Sequence, residues 1–366
     1  MIEQTIRNEP LIEHIVNLDL PHPGRMKSII AAERDCAREL FDGVMAEFKD
    51  MPGLAIDAFG MMYRSFKGPF QSELQQWADA LDISFGEAAL VNCAYEFSHI
   101  GGGFTTWFGK LNPFGCTTAV CSFGGAMVHA RNLDWPIPSM AAATRLFRYQ
   151  KGKHEFVSVG FPMFVGVLSG MVPGEYSATI NWAPPEGVPN FHHGPAFLLR
   201  RTLEECVTYE AAITRLKKTE LSTSVFYTVC GKSPGQACVI ERTKDTAVIR
   251  EAGSGCEAQS NHHVASELKE NNEVLKTSTA LRNDPLLGTT KQRREMMLQK
   301  LGAISSAAGD LTQLFALLSD EPITNAGTVQ RMIFRPARGE LHIDRCLTAT
   351  KTKMEWGRSS WKTTSV

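Results

Sequence analysis

The 366-residue chain has no charge surplus of either sign: 38 Lys and Arg stand against 39 Asp and Glu. Without a basic excess nothing is there to neutralise a run of phosphates, which argues against a nucleic-acid partner. It also lacks any stretch approaching the ~18 uncharged apolar residues of a membrane span. The opening residues, MIEQTIRNEPLIEHIV, are charged throughout. They show no apolar core of a secretory signal, so the expected location is the cytoplasm. No N-x-[ST] acceptor, C-x-x-C pair, P-loop or G-x-G-x-x-G string occurs. The nine cysteines are odd in number and unpaired in spacing, which points away from a disulfide framework or a structural zinc site. With 43% hydrophobic and 21% charged residues, the chain has ample material for a core of one large domain or two ordinary ones.

What is there changes character near residue 100. Before it, apolar residues recur at helical spacing. Met26 to Met51 reads as one long helix stopped by Pro52-Gly53, Phe70 to Leu81 as a second, and Ser84-Phe85-Gly86-Glu87 has capping-box spacing at the start of a third. Residues 100–115, IGGGFTTWFGKLNPFG, break the pattern with five glycines and a proline, yet carry Phe104, Trp107, Phe108 and Phe114. After Gly115 short strands dominate: 116–123, 126–131, 155–160, 164–169, 176–181, 225–230, 237–241, 247–251, 329–334 and 340–343. Helices are expected at 195–205, 208–217, 291–301 and 310–319, and residues 266–290 read as an exposed polar insertion. Runs of strands, then helices, then strands suggest an α+β chain with helices stacked on antiparallel sheets.

Several strings carry no chemistry. Gly231-Lys232-Ser233-Pro234-Gly235 matches G-x-S-x-G, but a strand rather than a helix follows, so a hairpin turn is expected. The pairs His192-His193 and His262-His263 place adjacent side chains on opposite faces of an extended chain, a weak metal option. The informative stretch is Gly115-Cys116-Thr117-Thr118, followed by Arg131-Asn132-Leu133-Asp134-Trp135. A glycine-rich loop delivers a cysteine to the head of a strand, and the next strand ends in an Arg and an Asp. A nearby guanidinium raises the thiolate fraction of a cysteine. On spacing alone, a buried cysteine beside a local Arg/Asp pair is the simpler reading.

The stretch resembles the signature of the N-terminal-nucleophile (Ntn) cysteine amidohydrolases, in which a C-T-[ST] strand is followed by a hairpin and [GA]-R-N-x-D-[FYW]. Likeness to the acid ceramidase and N-acylethanolamine acid amidase branch extends further, through Ile15 to Pro21 with Arg25, Tyr95-Glu96-Phe97, Gly166 to Met171, Tyr176 to Asn181, Pro195 to Arg200 and Ser260-Asn261-His262. This resemblance implies a four-layer αββα sandwich preceded by a mostly helical pro-region. It implies self-cleavage between Gly115 and Cys116, giving chains 1–115 and 116–366 that stay associated. The freed α-amine of Cys116 then serves as base for its own thiol, because the two groups have similar pKa values. The thiol attacks an amide carbonyl and water resolves the thioester.

By the same resemblance Arg131 contacts the nucleophile, Asp134 binds its α-amine, and Asn181 and Asn261 line the oxyanion site. Arg293 supplies a further arginine, with Arg294 as the alternative. Neither cofactor nor metal is called for. The implied substrate is a small N-acyl amine, a fatty-acyl amide of the ceramide or N-acylethanolamine type. Trp182 stands where the branch often has a glutamate, which predicts a weakened ceramide preference. Two other readings are an acyltransferase of the isopenicillin N type, to which Gly-Cys-Thr-Thr is closer, and an uncleaved binding protein.

Overall fold

The computed structural model describes residues 11–65, 70–99, 115–190, 192–253, 255–278, 281, 284–304, 310–346 and 364–365. The aromatic loop 104–114 lies outside them. Two sheets form the centre. The larger runs β1 (Glu13–Asn17), β4 (Arg145–Lys151), β5 (His154–Gly160), β6 (Ser169–Val172), β7 (Tyr176–Trp182), β8 (Val225–Gly231), β9 (Ala237–Arg242) and β10 (Ala247–Glu251). The smaller runs β11 (Cys256–Gln259), β2 (Gly115–Phe123), β3 (Ala126–Asp134), β12 (Thr328–Arg335), β13 (Glu340–Arg345) and β14 (Thr364–Ser365). Every pairing is antiparallel except β1 against β4.

The sheets pack face to face, β2 and β3 lying over β7, β8 and β9. Both faces of the central strands are covered, so β2, β3, β7, β8 and β9 are buried nearly end to end instead of alternating. Helices α7 (Pro195–Glu205) and α8 (Tyr209–Lys218) cover the larger sheet. On the smaller sheet lie α11 (Thr290–Ile304) and α12 (Leu311–Leu318), the latter capped by Asp310. The result is the expected layering of helix, sheet, sheet, helix.

The N-terminal segment holds α1 (His22–Arg25), α2 (Lys27–Met45), α3 (Gly53–Ser65), α4 (Gln71–Leu81), α5 (Phe85–Asn92) and α6 (Ala94–Phe97). The capping box at Ser84 and Glu87 is present with both reciprocal hydrogen bonds. Pro52-Gly53 does more than stop a helix. The Pro52 carbonyl accepts from the Ala55 and Ile56 amides, so the break is also the start of α3, which the sequence reading missed. The expected helix from 26 to 51 is shorter, giving way to a 3-10 turn at Ala46–Phe48.

Strands β1 and β4 were missed too, because their alternation is masked by charge. Arg148 is neutralised by Glu13 and Glu155, and Arg145 by Glu33. The strand expected at 164–169 begins at Ser169 instead. Residues 161–165 form a turn clamped by Asn92, whose Nδ2 donates to the Met163 carbonyl and whose Oδ1 accepts from the Val165 amide. The segment 266–290 is not simply an exposed insertion. After a 3-10 run and α9 (Val274–Thr277) it ends in α10 (Pro285–Gly288), where Leu286 and Leu287 are buried. The G-x-S-x-G string is a hairpin turn between β8 and β9, with Gly235 at φ 83°.

Candidate active site

Cys116 is the second residue of β2, pointing into the space between the two sheets. Strand β3 pairs with β2 so that Thr118 faces Arg131 and Gly115 faces Asp134. The Arg131 guanidinium therefore projects to the same inner face as Cys116. Its Nη2 donates to Sγ at 3.4 Å, and its Nη1 to the Ile180 carbonyl at 2.6 Å. The short β11 leads into Ser260-Asn261. The Cys116 amide donates to Asn261 Oδ1 at 3.1 Å. Asn261 is itself held by its amide on Thr290 Oγ1 (2.7 Å) and by its Nδ2 on the Trp182 carbonyl (2.9 Å).

Arg293, in the first turn of α11, reaches the other side of the same peptide. Its Nη1 donates to the Cys116 carbonyl and to Thr117 Oγ1, both at 2.7 Å. Its Nη2 donates to Asn261 Oδ1 at 2.7 Å and to the Leu286 carbonyl at 2.8 Å. Arg294 turns away to the Ala258 carbonyl and Glu257. Asp134 Oδ1 accepts from Thr328 Oγ1 at 2.6 Å. Its Oδ2 makes no hydrogen bond and stands 3.7 Å from Arg293 Nη1. That free oxygen faces the peptide before the nucleophile, since a Cβ on Gly115 would come within 3.0 Å of it. Only glycine fits there without displacing the carboxylate or Leu286.

All six expected residues, Cys116, Arg131, Asp134, Asn181, Asn261 and Arg293, are buried within this one constellation. Asn181 differs from its expected posture: its Nδ2 donates to the Gln259 and Ser260 carbonyls, so both amide hydrogens tie β7 to the Asn261 segment. Asn261 Nδ2 has one hydrogen bond in place and one hydrogen to spare. Thr117, Thr290 and Thr328 hold Arg293, Asn261 and Asp134; Thr117 belongs to the C-T-[ST] strand and Thr290 stands three residues before Arg293, whereas nothing in the sequence singles out Thr328, since threonines at strand ends are too common to stand out. Nor did it signal the Leu286 carbonyl, which lay in the segment read as exposed.

Burial pushes the Cys116 thiol up. Arg131 and Arg293 draw it down, as does a backbone hydrogen bond from Trp182, while the Asp134 charge adds to the rise; the net shift is upward. Cys116 is therefore held as a thiol rather than a thiolate. Burial likewise raises the Asp134 carboxyl, against the pull of Arg293, Thr328, Asn325 and Arg131.

Beside this centre, between α5, α6 and the sheet, lies a narrow apolar cavity lined by Val91, Tyr95, Trp135, Phe161, Phe164 and Leu168. Tyr95 donates its hydroxyl to the Ser224 carbonyl. Trp182 lies tilted against His99, ring centroids 5.2 Å apart, and donates its indole N–H to Ser98. Among the described residues no cluster of three metal-ligating side chains occurs. His263 is taken up by Glu241, and His262 meets Thr290.

A four-layer sandwich with a cysteine heading an inner strand, ringed by Arg, Asp and Asn, is what the resemblance to the Ntn cysteine amidohydrolases implied. In sequence the chain is similar to N-acylethanolamine-hydrolysing acid amidases and acid ceramidases. It is 31% identical over 188 residues to the N-acylethanolamine-hydrolysing acid amidase of Oryctolagus cuniculus, covering 48% of either chain. With the acid ceramidase of Balaenoptera acutorostrata scammoni it shares 25% over 276 residues and 64% of either chain. The chain spans about half the length of the first curated relatives it matches. Among solved structures it is similar to the Caenorhabditis elegans N-acylethanolamine-hydrolysing acid amidase orthologue, with a TM-score of 0.48 and 21% identity over 61% of this chain and 93% of that one. No protein-family model matches.

Proposed function

We infer that this chain is a precursor that cuts itself between Gly115 and Cys116 and then hydrolyses the amide bond of N-acyl amines with an apolar acyl group. The observation that carries the reading is the buried Asp134 Oδ2 beside Gly115, which among the described residues makes no hydrogen bond and meets only Arg293 at 3.7 Å, with Asn261 Oδ1 already accepting from the Cys116 amide. Once the peptide is cut, that nitrogen becomes an α-ammonium with three donors. A carboxylate and an amide oxygen are in place to receive them. The amine and thiol have similar pKa values, so the neutral amine takes the thiol proton to become that ammonium, Cys116 attacks the acyl carbon, and the ammonium returns the proton to the departing substrate amine as the thioester forms. Arg131 steadies the sulfur, and the spare Asn261 hydrogen points to the site of the developing oxyanion. Water then releases the acid and frees the cysteine.

The acyl chain is assigned to the aromatic cavity, whose closed volume of about 20 Å³ must widen to take it, since such pockets are mostly apolar. The head group then meets the Trp182 edge, where a carboxylate is missing, so ceramide is not the favoured amide. Chains 1–115 and 116–366 stay together after the cut. Strand β1 is hydrogen-bonded into the larger sheet beside β4, and Glu33–Arg145 and Glu73–Arg200 cross between the two segments.

Intact-mass measurement of the purified protein tests the reading. Two masses that part before residue 116 are expected, with a single uncut chain for Cys116→Ala. A Cys116→Ala chain still cut at that bond would mean that an outside protease does the work. A parent chain that stays whole while it hydrolyses N-acyl amines would separate the activity from self-cleavage.

A further inference from the structure

Away from the reacting centre, two more cysteines meet across the same pair of strands. Cys121 of β2 stands directly opposite Cys256 of β11 in the antiparallel register. Opposed residues in such a ladder have Cα atoms about 4.5 or 5.5 Å apart. Both values fall inside the roughly 4.4–6.8 Å that a disulfide spans. The two side chains share the outer face of the smaller sheet, under α11 and α12, among Ala119, Phe123, Ala258 and Met297. β11 is four residues long and lies at the sheet edge, free to make the small adjustment that sulfur–sulfur bonding needs.

The pair is chemically asymmetric. Cys121 is 1% exposed, whereas Cys256 is only half-buried and open to a small reagent. Their facing placement draws Cys256 below its ordinary value despite burial, and together with burial it drives Cys121 upward. One sulfur is thus the accessible, more readily ionised nucleophile, and the other is a sheltered partner behind it.

We propose that Cys121 and Cys256 form a redox-active dithiol, which a low-molecular-weight disulfide converts to a cross-strand disulfide stapling β2 to β11. The Cys256 thiolate attacks one sulfur of the reagent, breaking its S–S bond, forming a mixed disulfide and releasing one thiolate. The Cys121 sulfur then attacks Cys256 sulfur; the second reagent thiolate leaves and takes the Cys121 proton. Two electrons pass from the protein dithiol to the reagent, which ends as two thiols. This inference is independent of the hydrolase reading. Its place in the fold is nonetheless close to it: Cys121 lies five residues after Cys116 and Cys256 five before Asn261. The staple therefore fixes the far end of the ladder whose near end is closed by the Cys116 amide on Asn261 Oδ1.

The test uses the full chain as Cys116→Ala, which removes the other reactive thiol of β2. It is incubated with oxidised glutathione, alkylated, digested and analysed by mass spectrometry without reduction. The expected result is loss of two hydrogens, a peptide containing Cys121 joined to one containing Cys256, reversal by dithiothreitol, and an unfolding temperature several degrees higher when oxidised. Adding Cys121→Ala should stop the reaction at one glutathionyl group on Cys256; Cys121→Ser gives the same readout if the alanine chain does not fold. Recovery of Cys121 and Cys256 unlinked while other cysteines react overturns the proposal. So does a glutathionyl group that persists on Cys256 with Cys121 intact.

Discussion

Two buried arginine–carboxylate clusters stand in this molecule, and they are completed to different degrees. Where the N-terminal helices meet α7, Glu73 and Arg200 form a bidentate pair at 2.6 and 2.8 Å. The remaining donors of Arg200 go to Glu204 and the Val165 carbonyl, and its plane lies against Phe70 and Tyr149. Around Cys116 the chemistry of the groups is the same but the accounts stay open. Asp134 Oδ2, Arg131 Nε, Asn181 Oδ1, Ser260 Oγ and Arg293 Nε are buried without hydrogen bonds. An unmatched buried polar atom costs ~1–3 kcal/mol, so a cluster of them is kept for a reason other than stability. The closed cluster holds the segments together, and the open one waits for groups that chemistry supplies: an ammonium, a thiolate, an oxyanion.

The comparison predicts opposite failures. Cys116→Ala should abolish both cutting and turnover, leaving the far-UV spectrum and unfolding temperature near those of the parent. Arg131→Ala and Asp134→Ala should follow, each lowering kcat on the order of 10²–10³-fold, the scale of losing one stabilising polar group, with the fold preserved. Glu73→Ala should do the reverse. Arg200 then keeps only Glu204 as a carboxylate partner in the interior, a loss approaching the roughly 3–5 kcal/mol of breaking a buried pair, so denaturant unfolding shifts strongly while the kcat of the folded fraction stays near the parent value. A Glu73→Ala protein with full stability, or an Asp134→Ala protein with normal turnover, would erase the distinction.

How much of this was legible in the sequence follows the same line. The surroundings of Cys116 were legible because Cys116, Arg131 and Asp134 share one hairpin at fixed offsets, where register does the placing. Asn261 and Arg293 come from distant segments, and only an ordered family pattern pointed to them. Of the threonines around the site, Thr328 carries no pattern. Sheet edges were hardest. β4 hides its alternation behind Arg145 and Arg148, which reach Glu33 and Glu13 more than a hundred residues away, and β1 and β11 are too short to show a period. Helices with strong caps, such as the one begun by Ser84, were legible to the residue, since both ends of a capping box are local.

Acid sharpens the contrast in stability. Glu241 shows what a completed carboxylate does: burial pushes it up, but His263, Arg250 and the Ala265 amide outweigh that and hold it below the ordinary value. It therefore stabilises the fold above the usual carboxylate range, and that contribution is lost as pH falls through its depressed value. For Asp134 the sign is opposite. Its carboxyl is raised, so the native state binds the proton more readily than the unfolded chain does, and stability falls as pH rises through the window above its ordinary value. Asp134→Asn should then be at least as stable as the parent at pH 7 though inactive, whereas Glu241→Gln should be less stable at pH 7 and converge with the parent toward pH 3. Chemical denaturation at the two pH values checks both. A marked loss of stability for Asp134→Asn at pH 7 would place Asp134 with the completed cluster.

The smallest step, and the finest probe, concerns the cavity next to the open cluster. Its walls come from both sides of residue 115: Val91 and Tyr95 from the helices before it, Trp135, Phe161, Phe164 and Leu168 from the strands and turns after it. A site that buries one more methylene gains about 0.8 kcal/mol, close to a fourfold rise in kcat/KM per carbon. Across N-acyl amines of increasing length at a fixed head group, kcat/KM should climb at about that rate until the cavity is full and then level. Phe164→Ala opens the wall beside Trp135, whose ring it meets edge-on at 5.1 Å. It should move the plateau to longer chains without altering the rate of self-cleavage, because no group that contacts Cys116 is touched. A flat series would take the acyl chain out of this cavity and leave the cysteine chemistry standing. A plateau that stays in place in Phe164→Ala would show that another wall measures the chain.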